Sequence, residues 1–138
     1  MDNEYLKPLP APDHLTAPFW DGCKANKLLL QRCKQCSTSQ FPPGPLCTKC
    51  RSAELEWSEA SGKAKVYSWI VVRHPIPADV YKDEVPYVVA LVDLDEGPRM
   101  STNIVDCVPE SIKDGMPVEV AFKQVSDAIT LPLFRPAK

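Results

Sequence analysis

The sequence predicts a mainly β protein in which a short helix and a small metal-bound ribbon precede a β barrel. Three observations lead to this expectation. Fifteen prolines among 138 residues are about twice the usual share of ~5% and exclude a bundle of long helices. Two Cys-x-x-Cys pairs lie close together between residues 33 and 50. From residue 63 onward, apolar residues recur in the pattern of β-strands.

The N-terminal part predicts an extended arm followed by a helix. Prolines recur within residues 1–18, which we therefore assign to the arm. Thr16 can cap the helix, Pro18 suits its first turn, and Asn26 is a suitable stop. Residues 27–32 are apolar at the centre and predict a strand that leads into the first Cys pair.

The two Cys-x-x-Cys pairs predict a metal site. Cys33, Cys36, Cys47 and Cys50 can present four thiolates from two tight turns, which suits tetrahedral zinc. A rubredoxin-type iron site would use the same four ligands, and zinc is preferred because it is more available. Four cysteines leave no open ligand position, so we expect one structural zinc ion per chain.

The segment after residue 52 predicts five strands. They cover residues 63–73, 85–94, 99–105, 118–122 and 131–134, with a helical turn at 109–113 between the third and fourth. This order is that of an OB-fold barrel. In the first strand, one face is expected to carry Val66, Ser68, Ile70 and Val72, and the other Tyr67, Trp69 and Val71. The predicted division is an arm (1–18), a helix and zinc ribbon (19–52) and a barrel (53–138).

Residues that could carry catalysis are few. The sequence has no Gly-rich phosphate loop, no His-Glu-x-x-His, no Gly-x-Ser-x-Gly and no dinucleotide fingerprint. Cys23 and Cys107 have no neighbouring His and are expected to be packed thiols. His14 lies in the arm, and His74 follows the first barrel strand, where it could meet a ligand or simply end the strand. We therefore expect no catalytic residues and no independent enzyme.

Charge and hydropathy restrict the location and the partners. Residues 22–52 carry six basic and no acidic residues, whereas residues 53–138 carry nine basic and fourteen acidic ones. The basic ribbon would suit a nucleic-acid-binding module, but the acidic barrel would repel a phosphate backbone. A redox or metal-handling protein would need exposed thiols rather than a filled site. The sequence shows neither a signal peptide nor a membrane-spanning run, so a cytoplasmic location is expected.

The order of ribbon and barrel resembles a known family, the domain of unknown function 35 family of zinc-ribbon and OB-fold proteins. The matching residues are Phe19-Trp20, 28–33, Phe41-Pro42-Pro43 and the two Cys pairs in the ribbon, then Trp57, 61–68, 85–87, 95–99 and 115–120 in the barrel. The ribbon of this family is rubredoxin-like. One departure is Ser37, where the family commonly has Gly after the second ligand.

The resemblance implies a non-catalytic accessory subunit of a thiolase-type enzyme, either an acyltransferase or an aldolase acting on acyl-CoA. The expected partner is a thiolase-like catalytic subunit in a hetero-oligomer such as a heterotetramer, with a coenzyme A ester near the interface. One candidate setting is the benzoylsuccinyl-CoA thiolase of anaerobic toluene degradation. Binding to a membrane is not expected, and nucleic acid stays the alternative partner.

Coenzyme A is a polyanion, so its phosphates need cations. Arg73 and Arg99 lie at predicted strand ends of an acidic barrel, and His74 lies beside Arg73. These three residues are the predicted coenzyme A contacts, although both arginines could instead pair with acids such as Asp95 or Glu96. The basic ribbon could dock a partner, with Trp20, Phe41 and residues 28–30 as an exposed apolar centre.

Overall fold

The structure is a computed structural model that describes residues 5–138, so the first four residues of the predicted arm lie outside the described part. Its helices are α1 (Ala17–Lys24) and α2 (Ala78–Tyr81), with a 3₁₀ turn at Pro109–Ser111. Its strands are β1 (Leu29–Cys33), β2 (Ser39–Gln40), β3 (Leu55–Glu59), β4 (Lys63–Val72), β5 (Tyr87–Leu94), β6 (Arg99–Ile104), β7 (Pro117–Gln124) and β8 (Thr130–Pro136). The predicted mainly β class with one short leading helix is confirmed.

The strands form two sheets. The ribbon contains a three-stranded sheet in the order β2-β1-β3, and the rest of the chain closes a barrel in the order β4-β5-β6-β8-β7. The barrel has the five strands and the helical turn of an OB fold, as predicted. Its closure between β6 and β8 is parallel and rests on one residue pair, Ile104 with Phe134.

Strand β3 extends the ribbon beyond the predicted division at residue 52. The predicted division places residues 53–59 in the barrel part, whereas β3 pairs along its whole length with β1, from Leu29–Glu59 to Cys33–Leu55. This pairing was not predictable from the sequence, because strands whose partners lie far apart in the chain leave no local pattern. The exposed acidic residues of β3 also obscure its strand pattern.

A β-bulge at Tyr67 changes which residues of β4 face the core. Val66 pairs with Val92, but Ser68, not Tyr67, pairs with the next residue, Leu91. The extra residue inverts the alternation. As a result Trp69 faces the barrel interior opposite the buried Ala90, and Ile70 is 62% exposed. The predicted grouping of Ile70 with Val66 on one face was therefore wrong.

Helix α1 begins after its N-cap residue Thr16, as predicted, but the Thr16 side chain makes no cap hydrogen bond. The turn that precedes the helix is held by Asp13 Oδ1, which accepts hydrogen bonds from the backbone N–H groups of Leu15 and Thr16, each at 2.9 Å. The backbone hydrogen bond from Thr16 is the main cause that holds the pKa of Asp13 below its usual value.

The ribbon and the barrel share one core. Phe19 and Cys23 of α1, together with Leu30 of β1, belong to the same buried cluster as Val92 and Phe134 of the barrel. Because the core is continuous, loss of one part exposes apolar surface of the other. Within residues 5–138, no helix is long and apolar enough to cross a membrane.

Candidate zinc site and the predicted coenzyme A contacts

Two turns of the same geometry carry the four cysteines. In the first, the N–H of Ser37 donates to the carbonyl of Cys33 at 2.9 Å, and in the second, the N–H of Arg51 donates to the carbonyl of Cys47 at 2.9 Å. Each turn ends in a left-handed residue, with φ of 65° at Ser37 and 66° at Arg51. Glycine adopts this conformation more easily than any other residue. This preference explains why the family that the sequence resembles commonly has Gly at the position of Ser37.

The four sulfurs converge on one point. Each ligand atom of Cys33, Cys36, Cys47 and Cys50 lies within 4.8 Å of the others. Cys33 Sγ is 3.5 Å from Cys50 Sγ, and Cys36 Sγ is 3.6 Å from Cys47 Sγ. A tetrahedral zinc ion with Zn–S bonds of ~2.3 Å requires sulfurs about 3.8 Å apart. The donor set therefore fits zinc.

Hydrogen bonds favour the thiolate form that a metal requires. Thr38 lowers the pKa of Cys36 to about 6, and the backbone N–H groups of Cys50 and Lys49 lower the pKa of Cys47. At Cys50 a backbone hydrogen bond from Ser52 acts in the same direction, yet the neighbouring sulfurs outweigh it and raise its pKa to about 12. Four thiolates this close cannot all ionise unless a cation lies between them. The site thus has the chemistry of a four-thiolate metal centre.

The cluster contains only cysteines, without a histidine or a carboxylate. Cys33 and Cys47 are buried, and Cys50 is exposed. When bound, a zinc ion here would neutralise the thiolates and cross-link the two turns, with no open position for a substrate. The predicted structural zinc is supported by this geometry.

Two buried glutamines, which were not among the predicted site residues, hold the loops of the ribbon around the site. Gln40 Nε2 donates to Gln31 Oε1 at 2.9 Å, and both side chains are buried. Gln31 also accepts from the N–H of Gly44 at 2.8 Å, and Gln40 accepts from the N–H of Thr48 at 2.9 Å. The available signal was Gln31, which follows three leucines in the predicted strand, because a buried amide requires partners.

The predicted coenzyme A contact Arg99 is held by neighbours within the barrel. Its Nε and Nη2 donate to the carboxylate of Asp93 at 2.6 and 3.2 Å. Its guanidinium carbon lies 3.3 Å from the centre of the Tyr67 ring. The hydrogen bond to Asp93 is the main cause that raises the pKa of Arg99. A phosphate at this position would therefore compete with Asp93.

The second predicted arginine lies at the other end of the barrel. Arg73 follows the last residue of β4 and forms an ion pair with Glu110 at 3.3 Å. Arg99 of β6 is the register partner of Asp93 in β5. Asp93 in turn lies opposite Lys65, near the start of β4. Eight residues of strand correspond to roughly 25 Å. The two arginines therefore do not form one site. His74 is exposed beside Arg73.

The local acids that pair with these arginines are Asp93 and Glu110, not the predicted Asp95 or Glu96. Glu96 has another contact: its Oε2 accepts a hydrogen bond from the backbone N–H of Ser61 at 2.8 Å. This contact ties the β3–β4 connection to the β5–β6 turn.

The predicted apolar docking centre of the ribbon is largely internal. Leu28 and Leu30 are each 2% exposed. Trp20 and Phe41 are half-buried and pack on Phe19, with ring centres 5.0 and 5.3 Å apart. These side chains join the shared core because α1 folds back over the ribbon, so they do not provide an exposed patch.

The two other cysteines differ in environment. Cys23 is fully buried, and desolvation raises its pKa to about 12, which keeps it protonated and unreactive. Cys107 is half-buried at the edge of the core.

Comparisons with known proteins agree with this architecture. Residues 20–56 match the family described as "ChsH2, rubredoxin-like zinc ribbon domain", and residues 57–123 match "ChsH2, C-terminal OB-fold domain". The chain is 40% identical over 117 residues to a "DUF35 domain-containing scaffold protein" of Methanocaldococcus jannaschii, covering 83% of this chain and 82% of that protein.

Two further similarities concern larger assemblies. The chain is 44% identical over 132 residues to a "Probable enoyl-CoA hydratase alpha subunit" of Thermomonospora curvata, but it spans only 40% of that protein's length. A solved structure titled "Ltp2-ChsH2(DUF35) aldolase" superposes with a TM-score of 0.84 and 44% identity, covering 94% of this chain and all of the matched chain. The chain therefore belongs to the DUF35 family of ChsH2-type zinc-ribbon and OB-fold proteins.

Proposed function

We propose that this chain is a non-catalytic subunit of a thiolase-type or aldolase-type acyl-CoA enzyme and that it stabilises the assembled complex. The observation that carries the proposal is the full-length similarity to the DUF35 chain of the structure titled "Ltp2-ChsH2(DUF35) aldolase". The chemistry of the described residues is consistent with a non-catalytic role, because the metal site has four cysteine ligands and Cys23 is protonated and buried. The reactive groups would then come from the partner.

The test is reconstitution with the partner. The tagged chain is purified from its source cells, and a stoichiometric protein of the thiolase fold is identified by mass spectrometry. That protein is then produced with and without the chain and assayed with a panel of acyl-CoA substrates, among which benzoylsuccinyl-CoA is one candidate. We expect activity from the complex and none from this chain alone.

Matched variants distinguish the roles of the two subunits. Replacing the partner's nucleophilic cysteine should abolish activity, whereas Cys23→Ala and Cys107→Ala in this chain should leave the turnover number of the assembled complex unchanged. Turnover by the isolated chain that is lost in Cys107→Ala would contradict the proposal. Co-purification with nucleic acid, and with no thiolase-fold protein, would favour the nucleic-acid-binding alternative.

We also propose that Arg99 contacts a phosphate of the coenzyme A ester at the interface with the partner. The Tyr67 ring holds the guanidinium of Arg99 at the barrel surface, and a guanidinium oriented by an aromatic ring can present its N–H groups to a phosphate that displaces Asp93. Arg73, with its exposed ion pair at the opposite end, and the neighbouring His74 are the competing site.

Removing the competing carboxylate makes this test sharper. If Arg99 binds phosphate, Arg99→Ala should raise the KM of the complex for coenzyme A, and Asp93→Asn should lower it because the guanidinium is released. Arg73→Ala tests the other end, and Lys24→Ala in the ribbon serves as a control for a general loss of positive charge. Unchanged KM values in both arginine variants would leave only the assembly role.

A further inference from the structure

A cleft of the described chain lies outside the zinc site and the two arginine positions. It has a volume of about 570 Å³ and lies on the outer face of the barrel. Its floor is formed by β5, β6 and β8, and its walls by residues 5–8 of the arm and by the segment after α2. A concave site of this size is in the range of small-molecule sites, roughly 300–1,000 Å³. In the OB fold, strands two and three, here β5 and β6, form the usual ligand face.

The floor of the cleft is apolar. Val89 of β5 and Leu131 and Leu133 of β8 point outward into it. Asn103 of β6 lies directly opposite Val89 in the strand register. Its side-chain amide donates to the carbonyl of Val88 at 2.7 Å, so this polar side chain has a partner within the chain. The floor of the cleft therefore offers a mainly hydrophobic surface.

The rim of the cleft is positively charged. Lys7 of the arm forms an ion pair with Glu84 at 2.7 Å, and its ammonium lies 5.4 Å from the centre of the Tyr5 ring. Lys123 lies across from Leu131 on the neighbouring strand and also lines the cleft. With two ammonium groups and one carboxylate, the rim has an excess of one positive charge. A ligand with a single negative group would neutralise it.

The aromatic wall favours a small ligand over a nucleic acid. Tyr81 and Tyr87 are stacked on each other, with ring centres 5.6 Å apart and an interplanar angle of 26°. This stacking covers one face of each ring, which reduces the aromatic surface on which a row of bases could stack. One excess charge also provides little attraction for a polyanion.

We propose that this cleft binds a small amphipathic carboxylate, with its apolar chain on Val89, Leu131 and Leu133 and its carboxylate at Lys123. This inference is independent of the partner enzyme, because every group that it uses belongs to this chain. The arm contributes to the site, since Tyr5, Lys7 and Pro8 form one wall.

The test uses the zinc-loaded 138-residue chain and ¹H–¹⁵N NMR titration with sodium octanoate. We expect saturable shifts confined to the amides of the cleft, such as those of Val89, Asn103 and Leu133, and clearly smaller shifts with 1-octanol. Lys123→Gln should weaken octanoate binding about three- to five-fold, as expected for loss of one exposed charge contact. Lys113→Gln, an exposed lysine outside the cleft, is the matched control.

Leu133→Ala separates the apolar part of the site from the charged part, since it should weaken octanoate and octanol alike. Equal binding of octanoate and octanol to the wild-type chain would overturn the proposal, as would equal effects of Lys123→Gln and Lys113→Gln. Shifts scattered over the surface would also overturn it. If a short oligo-dT shifts the cleft amides and octanoate does not, the cleft is a nucleic-acid site instead.

Discussion

Ser37 and Arg51 occupy equivalent positions in the two turns of the zinc site, and both are left-handed non-glycine residues. Neither turn can relax, because the preceding cysteines must keep their sulfurs directed at one point. A side chain in this conformation costs about 1–2 kcal/mol relative to a right-handed residue. Glycine avoids that cost, although it loses more backbone entropy on folding.

We therefore expect Ser37→Gly to stabilise the folded chain by about 0.5–1 kcal/mol. Ser37 is exposed and its substitution removes no ligand. The free energy of unfolding is measured by urea titration of the zinc-loaded protein. Ser39→Gly in β2, where the backbone is extended, is the control and should be destabilising. A loss of stability in Ser37→Gly would show that its hydroxyl makes a contact more important than the strain.

At the scale of elements, a buried pair of glutamine side chains stabilises the ribbon, whereas the barrel is stabilised mainly by apolar contacts. Gln31 and Gln40 face each other across β1 and β2 and hydrogen-bond to the loop that carries the second cysteine turn. Strand β2 is only two residues long, so its ladder alone contributes few hydrogen bonds. The amide pair supplies the missing ones.

Gln40→Leu should destabilise the ribbon by about 2–3 kcal/mol, because it removes the hydrogen bonds of Gln40 with Gln31, with the carbonyl of Leu46 and with the N–H of Thr48, each contributing about 1 kcal/mol. The variant should also release zinc faster to a chelator, since Thr48 follows the ligand Cys47. Gln35→Leu, at an exposed position of the first turn, is the matched control and should change both quantities little. Equal zinc release from the two variants would refute a supporting role for the buried pair.

In the connection between ribbon and barrel, steric space restricts which residue can occupy position 62. Gly62 has φ of +81°, and a Cβ atom there would lie 2.7 Å from Val120 Cγ1. Gly115 has nearly the same conformation, φ +76°, but nothing lies within 4 Å of its Cβ position. A comparison of substitutions at these two glycines therefore distinguishes the cost of backbone strain from the cost of steric overlap.

Both Gly62→Ala and Gly115→Ala should be destabilising, and Gly62→Ala more so by about 1–3 kcal/mol. The additional loss comes from displacement of Val120, whose N–H donates to the Gly62 carbonyl at 2.8 Å. Calorimetric midpoints of the two variants provide the comparison. If the two losses are equal, the connection is more adaptable than its packing indicates.

At the scale of the whole molecule, the stability of the barrel is coupled to that of the zinc site through the shared core. Helix α1 contacts both β1 and β8, so Phe19 and Cys23 pack between the ribbon and the barrel wall. The ribbon has too few residues to build a core of its own, and bound metal supplies most of its folding free energy. Loss of the metal should therefore affect the barrel.

Chelation of zinc, or Cys47→Ser, should unfold the ribbon and also lower the thermal midpoint of the barrel. The barrel is followed through the NMR amide signals of Val92 and Phe134, which lie far from the ligands in sequence and are buried. Addition of zinc should restore the midpoint in the wild-type chain but not in Cys47→Ser. A barrel midpoint unaffected by chelation would show that the two parts fold independently.

The sequence by itself determined the ligand set, the order of most strands and the family. Cysteine spacing and apolar alternation are local patterns, and local patterns survive in a linear sequence. Only the tertiary structure decided that β3 joins the ribbon, that the bulge at Tyr67 turns Trp69 inward, and that Arg73 and Arg99 lie at opposite ends of the barrel. These features depend on strand register and on partners distant in the chain, and a shift of one residue in register reverses every side chain that follows it.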